Sequence, residues 1–438
     1  MKRKPNFIFF LADDLGYGDL GCYGAPDIKS PYLDQMANEG ALFTNAYAAA
    51  PVCSPTRVAF VTGRYQQRIG QFAEEYMKET VGTVEGSPGL EPDKHPTVGM
   101  YLKEAGYNTA IIGKWNVGGG KDIPPTVHGF DYWLGYHHNM NYFTHSQTWY
   151  KKGVFQEGPP MLYENGHLVQ MEGYLDDIVT DKTIRFIEEN AGQEKPFFLY
   201  IPWQIPHDPL QSPFGDPKVL PNYGDRSDYK KARSTYIEMV QRMDDNTGLI
   251  MDVLKKLGID EETVVFFASD NGGHPISRNL PLKGYKQDLD EGGIRVPFII
   301  RWPGVVPPGQ ISSQLSITMD ITATIAALAE AKVPEEHRMD GINLIPYLTG
   351  QKQVDENRTL YWRRRTINYE TKVNKVRAKA IREGNWKYIR DYARKFEALY
   401  NLEEDLAETN NAIQDQPDIA MKLKEKLEAW EEEVQNNI

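Results

Sequence analysis

Cysteine is almost absent: Cys22 and Cys53 are the only two in 438 residues, so no disulfide framework can staple this chain. No apolar run approaches the roughly 20 residues that a membrane-spanning helix needs, and there is no internal repeat or low-complexity tract. Positive charge is in deficit too. The formal net charge is -12, which disfavours non-specific attraction to nucleic acid or to an anionic membrane. Any anionic substrate must therefore meet a local basic cluster set in an acidic surface. The rest is ordinary for a globular protein, with 40% hydrophobic and 25% charged residues. The length fits one large domain plus a smaller one.

The start, Lys2-Arg3-Lys4-Pro5 and then Phe7 to Ala12, has the outline of a signal peptide, but the apolar run is short and ends in Asp13-Asp14. It reads as a first core strand. Further nearly all-apolar runs follow at Thr109–Ile112, Phe197–Ile201, Val264–Phe267 and Val296–Ile300. Continuous hydrophobicity without alternation suits strands of a parallel sheet buried on both faces. Amphipathic helices lie between them. One opens at Ser30-Pro31, serine as N-cap and proline at the first helical position. Another runs through Ile237, Val240, Met243, Ile250, Leu254 and Leu257 and stops at Gly258.

Chemistry-bearing residues follow these strands: Asp13-Asp14, then Lys114, then His207, then Asp270-Asn271. In open α/β sheets the site lies beyond the carboxyl ends of the strands, so the dispersed segments are expected to converge. Past residue 350 the character changes to short strand-like stretches, expected to form a small antiparallel sheet, and a charged helix from Ile419 to Val434. The expected division is a catalytic domain over 1–350 and an α+β subdomain over 351–438.

Cys53-Ser54-Pro55-Thr56-Arg57, running on to Val61-Thr62-Gly63-Arg64, resembles the C-x-P-x-R element of the type I sulfatases. The segments Gly106–Trp115, Pro206–Pro209, Pro281–Lys286 and Glu291–Pro297 resemble the same family. The resemblance implies an alkaline-phosphatase-like α/β sandwich with a large, mostly parallel sheet and a small C-terminal antiparallel sheet. It implies that Cys53 is oxidised to formylglycine, by a formylglycine-generating or anaerobic sulfatase-maturating enzyme. The hydrated aldehyde then attacks the sulfur of a sulfate ester. It also implies one Ca²⁺ held by Asp13, Asp14, Asp270, Asn271 and residue 53. Hard oxygen donors suit that ion and not zinc. Arg57 is implied to hold the formylglycine, Lys114 to bridge nucleophile and sulfate, and His207 and Lys286 to bind sulfate near the leaving oxygen.

Two positions depart from the family pattern. Asn116 stands where the family carries a histidine thought to act as a base, and an amide can hydrogen-bond but not take that proton. Gln287-Asp288 stands where Gly-Thr is usual, beside Lys286. The aromatic and imidazole-rich stretch from Gly129 to His145 matches family loops that meet substrate. Asn116, His138, Tyr142 and His145 are the candidate substrate contacts, although core packing competes for the aromatic ones. Arg363-Arg364-Arg365 offers either a contact for an anionic polymer or a solvated strand edge. The expected substrate is a sulfated carbohydrate. The alternatives are a phosphonate or phosphate ester hydrolase of the same superfamily, or a non-catalytic binder of sulfated glycans. Family resemblance points to the periplasm or the extracellular space if a leader has been removed.

Overall fold

Phe7 to Leu11 are wholly buried because their strand is paired on both edges and covered on both faces. The computed structural model describes residues 4–74, 89–118, 123–137, 139–144, 148–151, 154–157, 162–215, 228–368 and 373–436. The large sheet is built from β1 (Asn6–Ala12), β2 (Ala41–Phe43), β3 (Asn108–Lys114), β4 (Tyr132–Tyr136), β5 (Leu162–Glu164), β6 (His167–Val169), β7 (Phe197–Pro202), β8 (Thr263–Ser269), β9 (Phe298–Arg301) and β10 (Gln310–Ser312). Their spatial order is β10-β2-β9-β8-β1-β7-β3-β4-β5-β6. The central strands β8, β1, β7, β3 and β4 all run parallel. The expected parallel strand at Val296–Ile300 is instead β9, antiparallel to both β8 and β2. Its burial on both faces reads the same in sequence whichever way it runs.

Alternate residues of β1 serve opposite cores. Ile8 and Phe10 pack with α1 (Pro31–Asn38), α4 (Leu175–Asn190) and α5 (Tyr229–Lys256), through Leu33, Val179, Tyr236 and Met239. Phe7, Phe9 and Leu11 pack with α2 (Cys53–Thr62), α3 (Val98–Glu104) and α6 (Met319–Leu328), through Val58, Phe60, Val98 and Ile321. At α1, Ser30 precedes Pro31 but does not cap the helix. Its hydroxyl donates to Asp34 at 2.9 Å and accepts from the Gly21 amide at 2.8 Å. α5 ends just before Gly258, whose φ of 70° suits the left-handed turn. Among the described residues no helix is long and apolar enough to cross a membrane.

The strands β11 (Thr359–Asn368), β12 (Val373–Glu383), β13 (Trp386–Asp391) and β14 (Phe396–Asn401) form the separate antiparallel sheet. It is backed by α7 (Pro417–Asn436) through Leu423, Leu427 and Trp430. Trp362 and Leu360 share this core with Tyr47, Ala49 and Met319 of the larger body. Lys387, fully buried, bridges Glu291 and Glu408 at 2.9 Å each. Arg363 meets Glu74 through two contacts of 2.8 Å, and Arg365 reaches Glu74 at 3.2 Å. Arg364 donates to Gln287, so all three members of the arginine triplet are engaged within the fold.

Candidate active site

Because β1, β3, β7 and β8 run parallel, their carboxyl ends open on one edge. Asp13-Asp14 follow β1, Lys114 ends β3, His207 lies in the loop after β7, and Asp270-Asn271 follow β8. Cys53 is the first residue of α2, so the positive end of that helix dipole faces the same place. Asp13, Asp14, Cys53, Arg57, Lys114, Asp270 and Asn271 are all 1% exposed or less. Asp14 has a φ of 69°, a left-handed turn that aspartate tolerates.

The charges interlock. Arg57 donates to Asp270 Oδ2 from Nε at 3.1 Å and from Nη2 at 2.8 Å, and to the Lys114 carbonyl at 3.2 Å. Its Nη2 also lies 3.4 Å from Asp13. Lys114 Nζ is hydrogen-bonded to Asp13 Oδ2. Lys286 Nζ lies 2.6 Å from Asp14 Oδ1 and 3.4 Å from Cys53 Sγ, while that sulfur is 3.2 Å from Asp13 Oδ1. Burial alone would raise the Asp13 carboxyl, but Lys114, His207 and Arg57 together hold it well below the usual range. Asp14 is likewise lowered, burial being overcome chiefly by Lys286 and His207. Asp270 goes the other way, up to about 7, through burial and then Asp13, against Arg57. Burial and the Asp13 carboxylate push the Cys53 thiol well up, so it is no thiolate nucleophile at neutral pH.

Asp13, Asp14, Cys53 and His207 each bring a ligand atom within 4.8 Å of the others. The two carboxylates, with Asp270 and Asn271 beside Asp14, are hard oxygen donors that suit a hard divalent cation, whereas the Cys53 sulfur and the His207 nitrogen are not. Asn271 Nδ2 donates to Asp14 Oδ1 at 2.7 Å and to the Gly272 carbonyl at 2.9 Å, which leaves its Oδ1 buried with no partner. An orphaned amide oxygen among buried carboxylates is costly without a cation. The carboxylates of Asp13, Asp14 and Asp270 already face Arg57, Lys114 and Lys286, so the cluster is near neutral by itself. A divalent ion makes it electropositive, which is what an anionic ester requires.

His207 Nε2 lies 3.5 Å from Asp14 and Nδ1 is 2.6 Å from the Asp208 carbonyl, a contact that needs the proton on Nδ1. Burial, with Lys286 adding, pushes this imidazole down to about 4, so it is neutral at neutral pH. Asn139 Nδ2 approaches its ring nitrogens at 3.2 and 3.3 Å. Gln204 clamps Met140, accepting from its amide at 2.6 Å and donating to its carbonyl at 2.5 Å. Sequence reasoning missed Asn139 and Gln204, because their signal exists only once the two loops are docked.

Tyr142, read from sequence as a substrate contact, is instead fully buried and stacked on Tyr174. Its hydroxyl donates to the His207 carbonyl at 2.9 Å, so it shapes the loop that carries His207. His138 and His145 lie outside the described residues. Asn116 accepts a hydrogen bond from Ser54 at 2.8 Å, with a φ of 52°. The hydroxyl beside Cys53 thus fixes which way that amide faces.

The family model described as Sulfatase matches residues 5–331, and the C-terminal model of N-sulphoglucosamine sulphohydrolase matches residues 285–433. The N-acetylgalactosamine-6-sulfatase of Canis lupus familiaris is 34% identical, over 83% of this chain and 70% of its own. The N-acetylgalactosamine-6-O-sulfatase of Bacteroides thetaiotaomicron is 29% identical, over 98% and 93%. The solved structure of Ps i-CgsB in complex with k-i-k-neocarrahexaose superposes with a TM-score of 0.83 at 30% identity, covering 98% of this chain and 93% of that one. With a family match across the large sheet and relatives that are named sulfatases, the chain belongs to the sulfatase family and is a sulfuric ester hydrolase of alkaline-phosphatase-like fold.

Proposed function

We propose that this enzyme removes sulfate from a sulfated carbohydrate with galactose-configured sugars, using formylglycine made from Cys53 and one Ca²⁺. The observation that carries the reading is the setting of Cys53. Its sulfur lies between Asp13 and Lys286 in a buried oxygen-rich cluster whose Asn271 amide oxygen lacks a partner. The sugar class is supported by relatives named N-acetylgalactosamine-6-sulfatase and by a structural neighbour solved in complex with k-i-k-neocarrahexaose.

When bound, the Ca²⁺ supplies Lewis acidity toward the nucleophilic hydroxyl and the sulfate oxygens, held by Asp13, Asp14, Asp270, Asn271 and residue 53. Formylglycine supplies the nucleophilic hydroxyl that a buried protonated thiol does not. The chain's own groups do the remainder. Lys286 contacts residue 53 directly and Lys114 bonds the Asp13 carboxylate beside it, so both bring ammonium charge to where negative charge accumulates on sulfate oxygens. Arg57 holds Asp270 and Asp13 in place. His207, neutral and with Nδ1 tied to a carbonyl, presents Nε2 toward the site and can exchange a proton at that atom. Asn116 accepts from Ser54 and orients by hydrogen bonding, without acting as a base.

The test is co-production with a sulfatase-maturating enzyme, mass spectrometry of the peptide spanning Cys53, and sulfate release from defined 6-sulfated galactose and N-acetylgalactosamine. A purified, matured, calcium-loaded protein that cleaves aryl phosphate faster than aryl sulfate would favour the phosphate or phosphonate ester reading. Formylglycine with sulfate release dismisses a purely glycan-binding role.

A further inference from the structure

Lys286 reaches the site from a loop that is closed on itself. Its Nζ lies 2.6 Å from Asp14 Oδ1 and 3.4 Å from the Cys53 sulfur. Behind it the Gly292 amide donates to the Lys283 carbonyl at 2.7 Å, Gly293 to Asp290 at 2.9 Å and Asp288 to Tyr285 at 2.9 Å. The loop has no slack. A β-carbon at Gly292 would sit 2.3 Å from the Gly284 carbonyl oxygen, and one at Gly293 would sit 2.1 Å from that of Asp288. Lys286 is therefore placed by the base of the loop, Asp290 to Gly293.

That base is held from the C-terminal sheet. Arg394, in the turn between β13 and β14, donates from Nη2 to Asp290 Oδ2 at 2.6 Å. The guanidinium is itself fixed by Asp391, to which Nε donates at 2.7 Å, and by the Phe396 ring, 4.7 Å from its central carbon. One residue on, the Glu291 amide donates to Glu408 Oε2 at 2.7 Å, and the Glu291 carboxylate meets Lys387 at 2.9 Å. Asp290, Glu291, Lys387 and Glu408 are all buried. Buried ion pairs rarely outdo apolar packing in stability, because desolvation offsets their attraction. What charge-assisted hydrogen bonds add is direction, here between the C-terminal sheet and the loop that carries Lys286.

We infer that Arg394 is a positioning residue for sulfate ester hydrolysis. Through Asp290 it sets where Lys286 Nζ stands beside residue 53, while Glu408 and Lys387 hold the next residue of the same base. The inference rests on the reading that Lys286 binds the sulfate. The C-terminal sheet thereby acts on the reaction through Lys286 and is more than a cover for the large domain. The Arg394 side chain is 37% exposed, so it can be replaced without opening the core.

The test is a double-mutant cycle in kcat/KM for 4-nitrophenyl sulfate, on matured, calcium-loaded protein normalised to its formylglycine content. Arg394→Gln is expected to lower kcat/KM about tenfold, because a small misplacement of a reacting or binding group is costly, and Arg394→Lys to recover part of the loss. In the Lys286→Ala background the same Arg394→Gln step should change kcat/KM by less than about twofold, since its route to the ester is gone. A lowered thermal midpoint with kcat/KM unchanged marks a purely structural role and overturns the assignment. An equal loss in both backgrounds does the same. A crystal structure of Arg394→Gln needs no activity: Lys286 Nζ is expected to withdraw from Asp14 Oδ1, and a contact still at 2.6 Å overturns the positioning role. Should Lys286→Ala alone leave kcat/KM unaltered, the sulfate-binding reading of Lys286 fails, while the crystal structure still decides Arg394.

Discussion

Replacing Arg57 with methionine isolates the electrostatic logic of the site. The guanidinium is fully buried and makes two contacts to Asp270, one to Asp13 and one to the Lys114 carbonyl. Methionine keeps much of the volume and removes every one of these. Breaking a buried pair by deleting one partner costs about 3–5 kcal/mol, because the remaining charge is uncompensated. Asp270 has an outlet, since its carboxyl already titrates at about 7 and rises further once Arg57 is gone. The sign follows. A carboxyl raised in the folded state contributes its full stability below the unfolded value near 4 and loses it as pH rises through the folded value. The penalty in Arg57→Met is therefore smallest near pH 5 and largest above pH 8.

At about 2 cal/mol/K of unfolding entropy per residue, a chain of 438 residues loses roughly 3–5 °C in thermal midpoint for that cost. The assay is calorimetry of wild type and Arg57→Met in chelator at pH 5 and pH 8, repeated with excess calcium. Calcium is expected to narrow the gap, because a divalent ion beside Asp13 and Asp270 supplies the missing positive charge. Midpoints within about 1 °C of each other at pH 8 in chelator would refute the reasoning. So would a gap that widens when calcium is added.

Cys53→Ala is expected to fold with an unchanged thermal midpoint and to release no sulfate above background, as judged by ion chromatography. Tyr142→Phe removes the donor to the His207 carbonyl, so unfolding in urea should show a loss of about 0.5–1.5 kcal/mol. Asp176 is buried at the start of α4 with neither oxygen in a well-formed hydrogen bond. Burial and then Asp177 push it up to about 8, against the Ile205 and Gln204 amides. Asp176→Asn should therefore be more stable than wild type at pH 8, with the advantage shrinking toward pH 4, and an advantage that grows toward acid would contradict this. Lys387→Met leaves Glu291 and Glu408 buried without their shared cation, and should cost about 3–5 kcal/mol in denaturant unfolding, Lys387→Arg less.

Much of the fold is legible in the sequence. Runs such as Phe7–Leu11 and Val264–Phe267 are so uniformly apolar that only double-sided burial suits them, and the acidic and basic residues that follow them mark one edge of a parallel sheet. The antiparallel direction of β9 was not legible, because a strand buried on both faces carries no alternation to reveal its neighbours. Tyr142 shows the same limit for a single residue. An aromatic ring with a polar tip suits a sugar and a core equally well, and only the docking of residues 139–144 on the 203–211 loop decides between them.

The sequence by itself supplied the candidate reacting residue Cys53, the oxygen donors of the proposed metal cluster and an asparagine at 116 where the family pattern reads histidine. Those properties belong to local chemical groups and their order along the chain. Tertiary structure alone decided which charges meet. Asp13 and Asp270 share Arg57 yet titrate in opposite directions, Arg363 and Arg365 are consumed by Glu74, and Arg364 is carried across from the C-terminal sheet to Gln287. The physical reason is that charge interaction depends on distance and burial. Residues 57 and 270, or 287 and 364, acquire both only when the two sheets are folded and packed together.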